Sequence, residues 1–267
     1  MNIVLGITAG IAAYKTPQLV RLLTKKGHKV KVILTENAKE FVTPLTLSTV
    51  SKNQVLTSFS SPEGDWHSHV ELALWADTML IAPATANTIA KMAHGICDNL
   101  LLATYFSAKA PVFIAPAMDL DMYAHPTVTE NLAKLASYGN HIIPATYGEL
   151  ASGLVGQGRM AEPEDIVLFL ENTLSENLPL KGKKILITAG PTYEAIDPVR
   201  FIGNFSSGKM GIALANEAVR QGAEVHLVLG PSAEKNIDNK IHLHKVVSAQ
   251  QMYKAAVAQF ETCDMAI

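Results

Sequence analysis

The sequence predicts an α/β protein built from two parallel, mononucleotide-binding-type sheets in tandem, each covered by helices on both faces. Three observations carry that prediction. Short, nearly continuous apolar runs alternate with amphipathic segments, the pattern of strands buried on both faces and their crossover helices. One short polar stretch, Leu178-Pro-Leu-Lys-Gly-Lys-Lys184, interrupts the alternation. The same tetrapeptide then opens each half, as Ile7-Thr8-Ala9-Gly10 and Ile187-Thr188-Ala189-Gly190.

In the first half, Asn2–Thr8 is the opening strand and Ile11–Gly27 is expected to be one helix, with Leu19, Leu22 and Leu23 on one face. Lys29–Leu34, Thr78–Ala82, Val112–Ala115 and His141–Ile143 follow as strands, each ending in a polar or glycine-bearing turn. Helices fit Asn87–His94, Asn99–Ser107, Thr127–Tyr138 and Glu164–Glu176. After a linker at 179–183 the pattern restarts with a strand at Ile185–Thr188, a helix near Met210–Gln221, and strands at Glu224–Leu229 and Ile241–Val247. Cys263–Ile267 reads as a buried strand in which the sequence stops. The expected organisation is a first domain over 1–178 and the opening part of a second, incomplete Rossmann-like domain over 184–267.

Composition narrows the function. Hydrophobic residues make up 48% and charged residues 17%, as in a core-rich globular protein. A net charge of −2 without a basic cluster gives no reason to expect nucleic acid. The start, MNIVLGITAGIAAYK, is interrupted by glycine and lysine too soon for a signal peptide or a membrane span, so a soluble cytoplasmic protein is expected. Cys97 and Cys263 are too far apart for a disulfide framework or a metal spacing. His67 and His69 stand two apart without a third ligand at a defined spacing, so no metal site is predicted.

Ligands of an open α/β sheet sit beyond the carboxyl ends of its strands, and three loops fall there. Gly6-x-x-x-Gly10 turns a strand into a helix with backbone N–H groups free for a phosphate, but lacks the dinucleotide G-x-G-x-x-G. Ala82-Pro-Ala-Thr-Ala-Asn-Thr88 offers hydroxyls, an amide and small residues that let a flat ring approach the backbone. Ala115-Pro-Ala-Met-Asp-Leu-Asp-Met122 supplies two methionines and two carboxylates. Each alone is compatible with plain structural use. Three in one sheet favour a mononucleotide site.

GITAGIAAYKTPQLVR, HVELALWAD, APATANTIAK, APAMDLDMY and SGLVGQGRM, with ITAGPTYEAIDPVRFIGNFSSGKMG in the second half, resemble the flavin-dependent cysteine decarboxylases. They are most similar to the bifunctional phosphopantothenoylcysteine decarboxylase/phosphopantothenate–cysteine ligase family of bacterial coenzyme A synthesis. The resemblance spans essentially the whole chain. It implies a flavodoxin-like doubly wound sheet that binds FMN between subunits of a homotrimer or larger ring, and 4′-phosphopantothenoylcysteine as substrate. Gly10 and Ile11 are then expected at the flavin phosphate, with Thr35 and Ala84, Thr85, Ala86, Asn87 and Thr88 along the rest of the cofactor. His69 would handle the thiol proton, and Asp119 would address the substrate carboxylate. Ser152 to Met160 would be a flap, with Met118, Met122, Gly153 and Arg159 around the substrate. The chemistry accounts for the flavin: oxidising the thiol to a thioaldehyde creates a sink for the electrons released with CO2, and the ene-thiol that results is then reduced back.

Two residues depart from the family pattern. Ser152 stands where a cysteine usually donates the final proton, and a hydroxyl is a much weaker acid than a thiol. Cys97 is the single thiol in that domain. Asp119 replaces an asparagine, and burial between flavin and flap is expected to keep it protonated and donating. In the second half, Arg200 and Asn204 match the loop that closes on the ligase's acyl-cytidylate. The segments that carry most CTP and Mg2+ contacts would lie beyond Ile267, so ligase activity is expected to be absent. Two alternatives share the fold: a non-catalytic, flavin-binding regulatory subunit, and a flavin prenyltransferase, which lacks a linked ligase segment.

Overall fold

The apolar run Asn2–Ile7 forms β1, with every residue after Asn2 buried, at the centre of the first sheet of the computed structural model, which describes residues 1–60, 64, 66–176 and 178–267. The chain divides into two compact units, Met1–Glu171 and Asn172–Ile267. In the first, β1 leads through α1 (Thr16–Lys25), β2 (Lys29–Leu34), α2 (Pro44–Ser51) and β3 (Val55–Leu56) to α3 (His69–Trp75) and β4 (Thr78–Ala84). Then follow α4 (Ala86–His94), α5 (Leu100–Ser107), β5 (Val112–Pro116), α6 (Leu120–Ala124), α7 (Pro126–Ser137) and β6 (His141–Ile142). The hairpin β7 (Thr146–Glu149) and β8 (Val155–Arg159) precedes α8 (Pro163–Glu176), which contains the division between units.

The first sheet runs β3-β2-β1-β4-β5-β6, and every pairing is parallel. Without the two-residue edge strand β3, this is the flavodoxin order. Strand β4 is buried along its whole length. Met79 and Ile81 pack with Ile89, Met92, Leu101 and Ile114 into one apolar core.

The second unit is a four-stranded parallel sheet, β13-β12-β9-β14, built from β9 (Lys184–Ala189), a short hairpin β10 (Tyr193–Ala195) and β11 (Phe201–Gly203), α9 (Lys209–Arg220), β12 (Glu224–Leu229), β13 (His242–Lys245), α10 (Ala249–Phe260) and β14 (Met265–Ala266). Ile185, Ile187, Val225 and Leu227 meet Ile212 and Ala215 of α9 in its core. Among the described residues no helix is long and apolar enough to cross a membrane.

Two expectations need correction. The single helix expected over Ile11–Gly27 is a 3-10 segment, Ile11–Lys15, followed by α1. Pro17, in the first turn of α1, has no N–H to continue a helix begun upstream and its ring crowds the carbonyl four residues back. The carboxyl-terminal strand is not buried. Met265 is 50% and Ile267 54% exposed, because β14 pairs only with β9 and nothing among the described residues covers its other edge.

Candidate functional site

Strands β1 and β4 are neighbours, but their connections lead to opposite edges of the sheet. The loops leaving their carboxyl ends therefore part and open a crevice. Thr8, Thr35, Thr85, Asn87, Thr88 and Lys91 line it, around a cavity of about 210 Å3. A buried cross-link fixes its floor. Thr8 Oγ1 donates to the carbonyl of Pro83 at 2.7 Å and accepts from the N–H of Thr85 at 3.1 Å. Helix α4 starts at once, and Thr85 gives it no side-chain cap. The N–H groups of its first turn therefore remain available, as a bound phosphate or ring carbonyl requires.

The donor set fits the FMN that the resemblance implies. It consists of the threonine hydroxyls, the amides of Asn37, Asn87 and Asn99, and backbone N–H groups, with the Lys91–Asp98 ion pair at its side. Gly10 lies beside Thr85 of the crevice, where a Cβ would reach Thr85 Cγ2 at 3.4 Å, an ordinary van der Waals contact.

A larger pocket, about 490 Å3, lies in the same unit between the 3-10 segment, the β5–α6 loop and the β7–β8 hairpin. Ile11, Tyr14, Met118, Asp119, Ser152 and Arg159 line it. The hairpin is seated on the loop bearing Asp119 by a hydrogen bond from the Met118 N–H to the Gly158 carbonyl, 3.0 Å. Gly158 has φ +142°, and a Cβ there would sit 2.5 Å from the Met118 carbonyl oxygen. Only glycine allows both the conformation and the approach. Ser152 is exposed in the hairpin turn, where the N–H of Gly153 (φ +82°) bonds the Leu150 carbonyl at 2.9 Å.

Lys15 anchors the opposite wall. It is a buried cation whose Nζ donates to Glu162 Oε1 at 2.9 Å and to the Met160 carbonyl at 3.4 Å. Arg159 Nη2 donates to the same Glu162 oxygen at 2.6 Å. The hydrogen bond from Lys15 above all, with Lys15 and Arg159 as nearby positive charges, holds the Glu162 carboxyl below its ordinary value. Glu162 thus orients Arg159 while leaving its other nitrogens for a pocket ligand. Sequence reasoning did not pick out Thr8, Lys15 or Glu162. A lysine inside the apolar run IAAYK was the one available signal, and its partner lies 147 residues away.

The remaining expected residues are placed as follows. Ala84 ends β4 and its carbonyl accepts from the Ala117 N–H at 3.0 Å, tying the two ligand loops together. Ala86 opens α4. Met122 is 50% exposed on α6. His69 begins α3 behind the Ser68 cap and lines neither pocket. It meets Phe59 edge-on at 6.1 Å, and its buried Nδ1 has no hydrogen-bond partner among the described residues. Cys97 is exposed. In the second unit Asn204 Oδ1 accepts from the Thr192 N–H at 2.8 Å, while Arg200 pairs with Asp197 in a tight turn.

Comparison with known proteins adds to this geometry. Residues 1–175 match the family described as Flavoprotein, and 180–267 the DNA/pantothenate metabolism flavoprotein C-terminal domain. A cysteine/cysteine sulfinic acid decarboxylase from an unknown prokaryotic organism is 58% identical over 232 residues, 85% of this chain and 64% of that protein. The coenzyme A biosynthesis bifunctional protein CoaBC of Bacillus subtilis (strain 168) is 45% identical over 269 residues, 100% of this chain and 66% of that protein. The chain thus spans just under two thirds of these relatives. Among solved structures, a PPC decarboxylase mutant complexed with pantothenoylaminoethenethiol, in which a serine replaces a cysteine, is 31% identical with TM-score 0.58, over 65% of this chain and 97% of that one. The FMN binding protein AtHal3 is 30% identical with TM-score 0.57, over 66% and 97%.

Proposed function

The chain belongs to the flavoprotein family, continued by a DNA/pantothenate metabolism flavoprotein C-terminal domain, and on that premise we propose that it decarboxylates 4′-phosphopantothenoylcysteine with FMN to give 4′-phosphopantetheine. One observation carries the reading. A donor-lined crevice at the switch point of the sheet lies in the same unit as a pocket that gathers Asp119, Ser152 and Arg159. The likeness to a PPC decarboxylase and to a coenzyme A biosynthesis protein supports it.

Bound FMN supplies a reversible two-electron oxidation of the substrate thiol, so that a C=S group takes up the electrons left by CO2. Gly10, Ile11, Thr35 and Ala84–Thr88 would hold it through hydroxyls and backbone N–H groups. Asp119 hydrogen-bonds the substrate carboxylate, and Arg159, steered by Glu162, offers its free N–H groups to the anionic part of the substrate. The β7–β8 hairpin covers the pocket and excludes water. His69 serves the pocket of a neighbouring subunit, which explains its place outside both cavities of its own chain and makes the working unit a homo-oligomer. Ser152 delivers the last proton to the ene-thiol, more slowly than a thiol would.

A second reading, free cysteine or its sulfinate as substrate, is favoured by the relative at 58% identity. It would also give Asp119 a partner, since a free amino acid carries an ammonium group that the amide-linked substrate lacks. Product mass, measured without air for each substrate with the wild type and Asp119→Asn, separates the two. The first reading expects turnover of 4′-phosphopantothenoylcysteine that survives Asp119→Asn. Turnover of cysteine alone, abolished by that substitution, would replace it with the second.

A further inference from the structure

We propose that Glu224, His226 and His242 form a binding site for a divalent first-row transition ion, zinc being the reference case, on the sheet of the second unit. The pairing of β12 with β13 creates it. The two strands are parallel with His226 opposite His242, so residues far apart in sequence share one face. Alternation along β12 sends Val225 and Leu227 into the core beneath α9, and Leu243 of β13 packs against the same core. Glu224, His226, His242 and His244 therefore project from the opposite face.

Their geometry suits a cation. His226 Nε2 lies 3.4 Å and His242 Nε2 4.0 Å from Glu224 Oε1. The three ligand atoms all lie within 4.8 Å of one another. A tetrahedral zinc with bonds of about 2.0–2.2 Å needs ligand separations of roughly 3.3–3.5 Å. The wider gaps close by side-chain rotation, because Glu224 and His242 are 41% and 56% exposed. The rings of His226 and His242 are stacked, 4.8 Å between centroids and 22° apart, so their lone pairs run side by side and the exposed His242 ring must turn for both to meet one ion.

A fourth residue provides independent support. His226 Nδ1 and His244 Nε2 are 3.3 Å apart. With His226 donating from Nδ1, its Nε2 lone pair is free toward Glu224. That is the outer hydrogen bond that orients metal-bound imidazoles. Two imidazoles and one carboxylate select zinc, nickel or cobalt over magnesium and calcium, which take oxygen ligands. A fourth coordination position remains for water. Among the described residues Lys184 is the competing cation, with Nζ 3.4 Å from Glu224 Oε1 on a 45% exposed side chain.

The test is competition between the untagged full chain and a chromophoric zinc chelator at neutral pH, with circular dichroism to confirm that each variant folds. The expected result is one zinc equivalent, affinity at least about tenfold weaker in His242→Asn and in Glu224→Gln, and a loss of about 10–100-fold in His244→Asn through the outer hydrogen bond. Lys184→Ala should bind severalfold more tightly, because it frees Glu224; a merely structural change would not do this. His242 sits on the edge strand β13 with a 56% exposed side chain, so its variant tests the site without disturbing the more buried His226. Absence of a zinc equivalent, or one whose affinity His242→Asn and Glu224→Gln leave unchanged, would overturn the assignment. So would magnesium binding as tightly as zinc.

Discussion

Replacing Lys15 by methionine removes a buried cation of the pocket wall while keeping most of its apolar stem. Lys15 is 7% exposed at its side chain and donates to Glu162 at 2.9 Å and to the Met160 carbonyl at 3.4 Å. A hydrogen bond to a charged group contributes about 1.5–3 kcal/mol. Two features reduce that figure here. Glu162 is 42% exposed, so water compensates part of the loss, and Arg159 stays paired with it at 2.6 Å. The expected net cost is about 1–2 kcal/mol; at about 2–4 °C per kcal/mol for a domain of this size, Tm falls by about 2–8 °C. The pH dependence follows from Glu162. Its folded-state value is depressed, first by the Lys15 hydrogen bond. Stability from this group is therefore present above its unfolded value, about 4.3, and is lost as pH falls through the lower folded value. Thermal unfolding of both proteins from pH 3 to 8 is the assay. The deficit of Lys15→Met should be largest near pH 7 and shrink below about pH 4. An unchanged Tm at pH 7, or a deficit equally large at pH 3, would refute the reasoning.

Three further outcomes follow. Gly158→Ala forces a Cβ against the Met118 carbonyl at a φ that side chains avoid, a strain of about 1–3 kcal/mol; the hairpin should lift, and KM should rise about tenfold while the far-UV circular dichroism stays unchanged. Ser152→Cys places an acidic thiol in the hairpin turn, so the ene-thiol fraction seen by mass spectrometry under turnover should drop severalfold relative to wild type. His69→Asn and Asp119→Ala should each be inactive alone, and mixing the two chains under subunit exchange should restore part of the activity. No recovery would place His69 and the pocket in one chain.

Much of the first unit was legible because its strands are buried on both faces. Runs such as Met79–Ala82 can be little else, and the ligand loops follow at strand ends by topology. Elements that rest on something other than periodicity were not read. Helix α2 starts at a Thr43-Pro44 cap but has little amphipathic pattern, and α10 starts at a Ser248–Gln251 capping box with no buried residue. The hairpin β7–β8 consists of half-exposed, glycine-rich strands with no clean alternation, seated on the Asp119 loop by the Met118–Gly158 hydrogen bond. Residues read from loops were brought together where the loops share the sheet's carboxyl edge: Thr35 with Thr85 and Thr88, and Asp119 with Ser152. Lys15 with Glu162, and His226 with His242, depend on pairing across the fold. No local spacing announces such pairs.

The most direct test is anaerobic: the FMN-loaded chain is mixed with 4′-phosphopantothenoylcysteine and the product is weighed by mass spectrometry. The account predicts loss of CO2, with an ene-thiol lighter by two further hydrogens detectable before the cycle closes, because Ser152 slows the final proton. Substrate returned unchanged by a chain that has bound its flavin would contradict the account and leave a flavin-binding module without this chemistry.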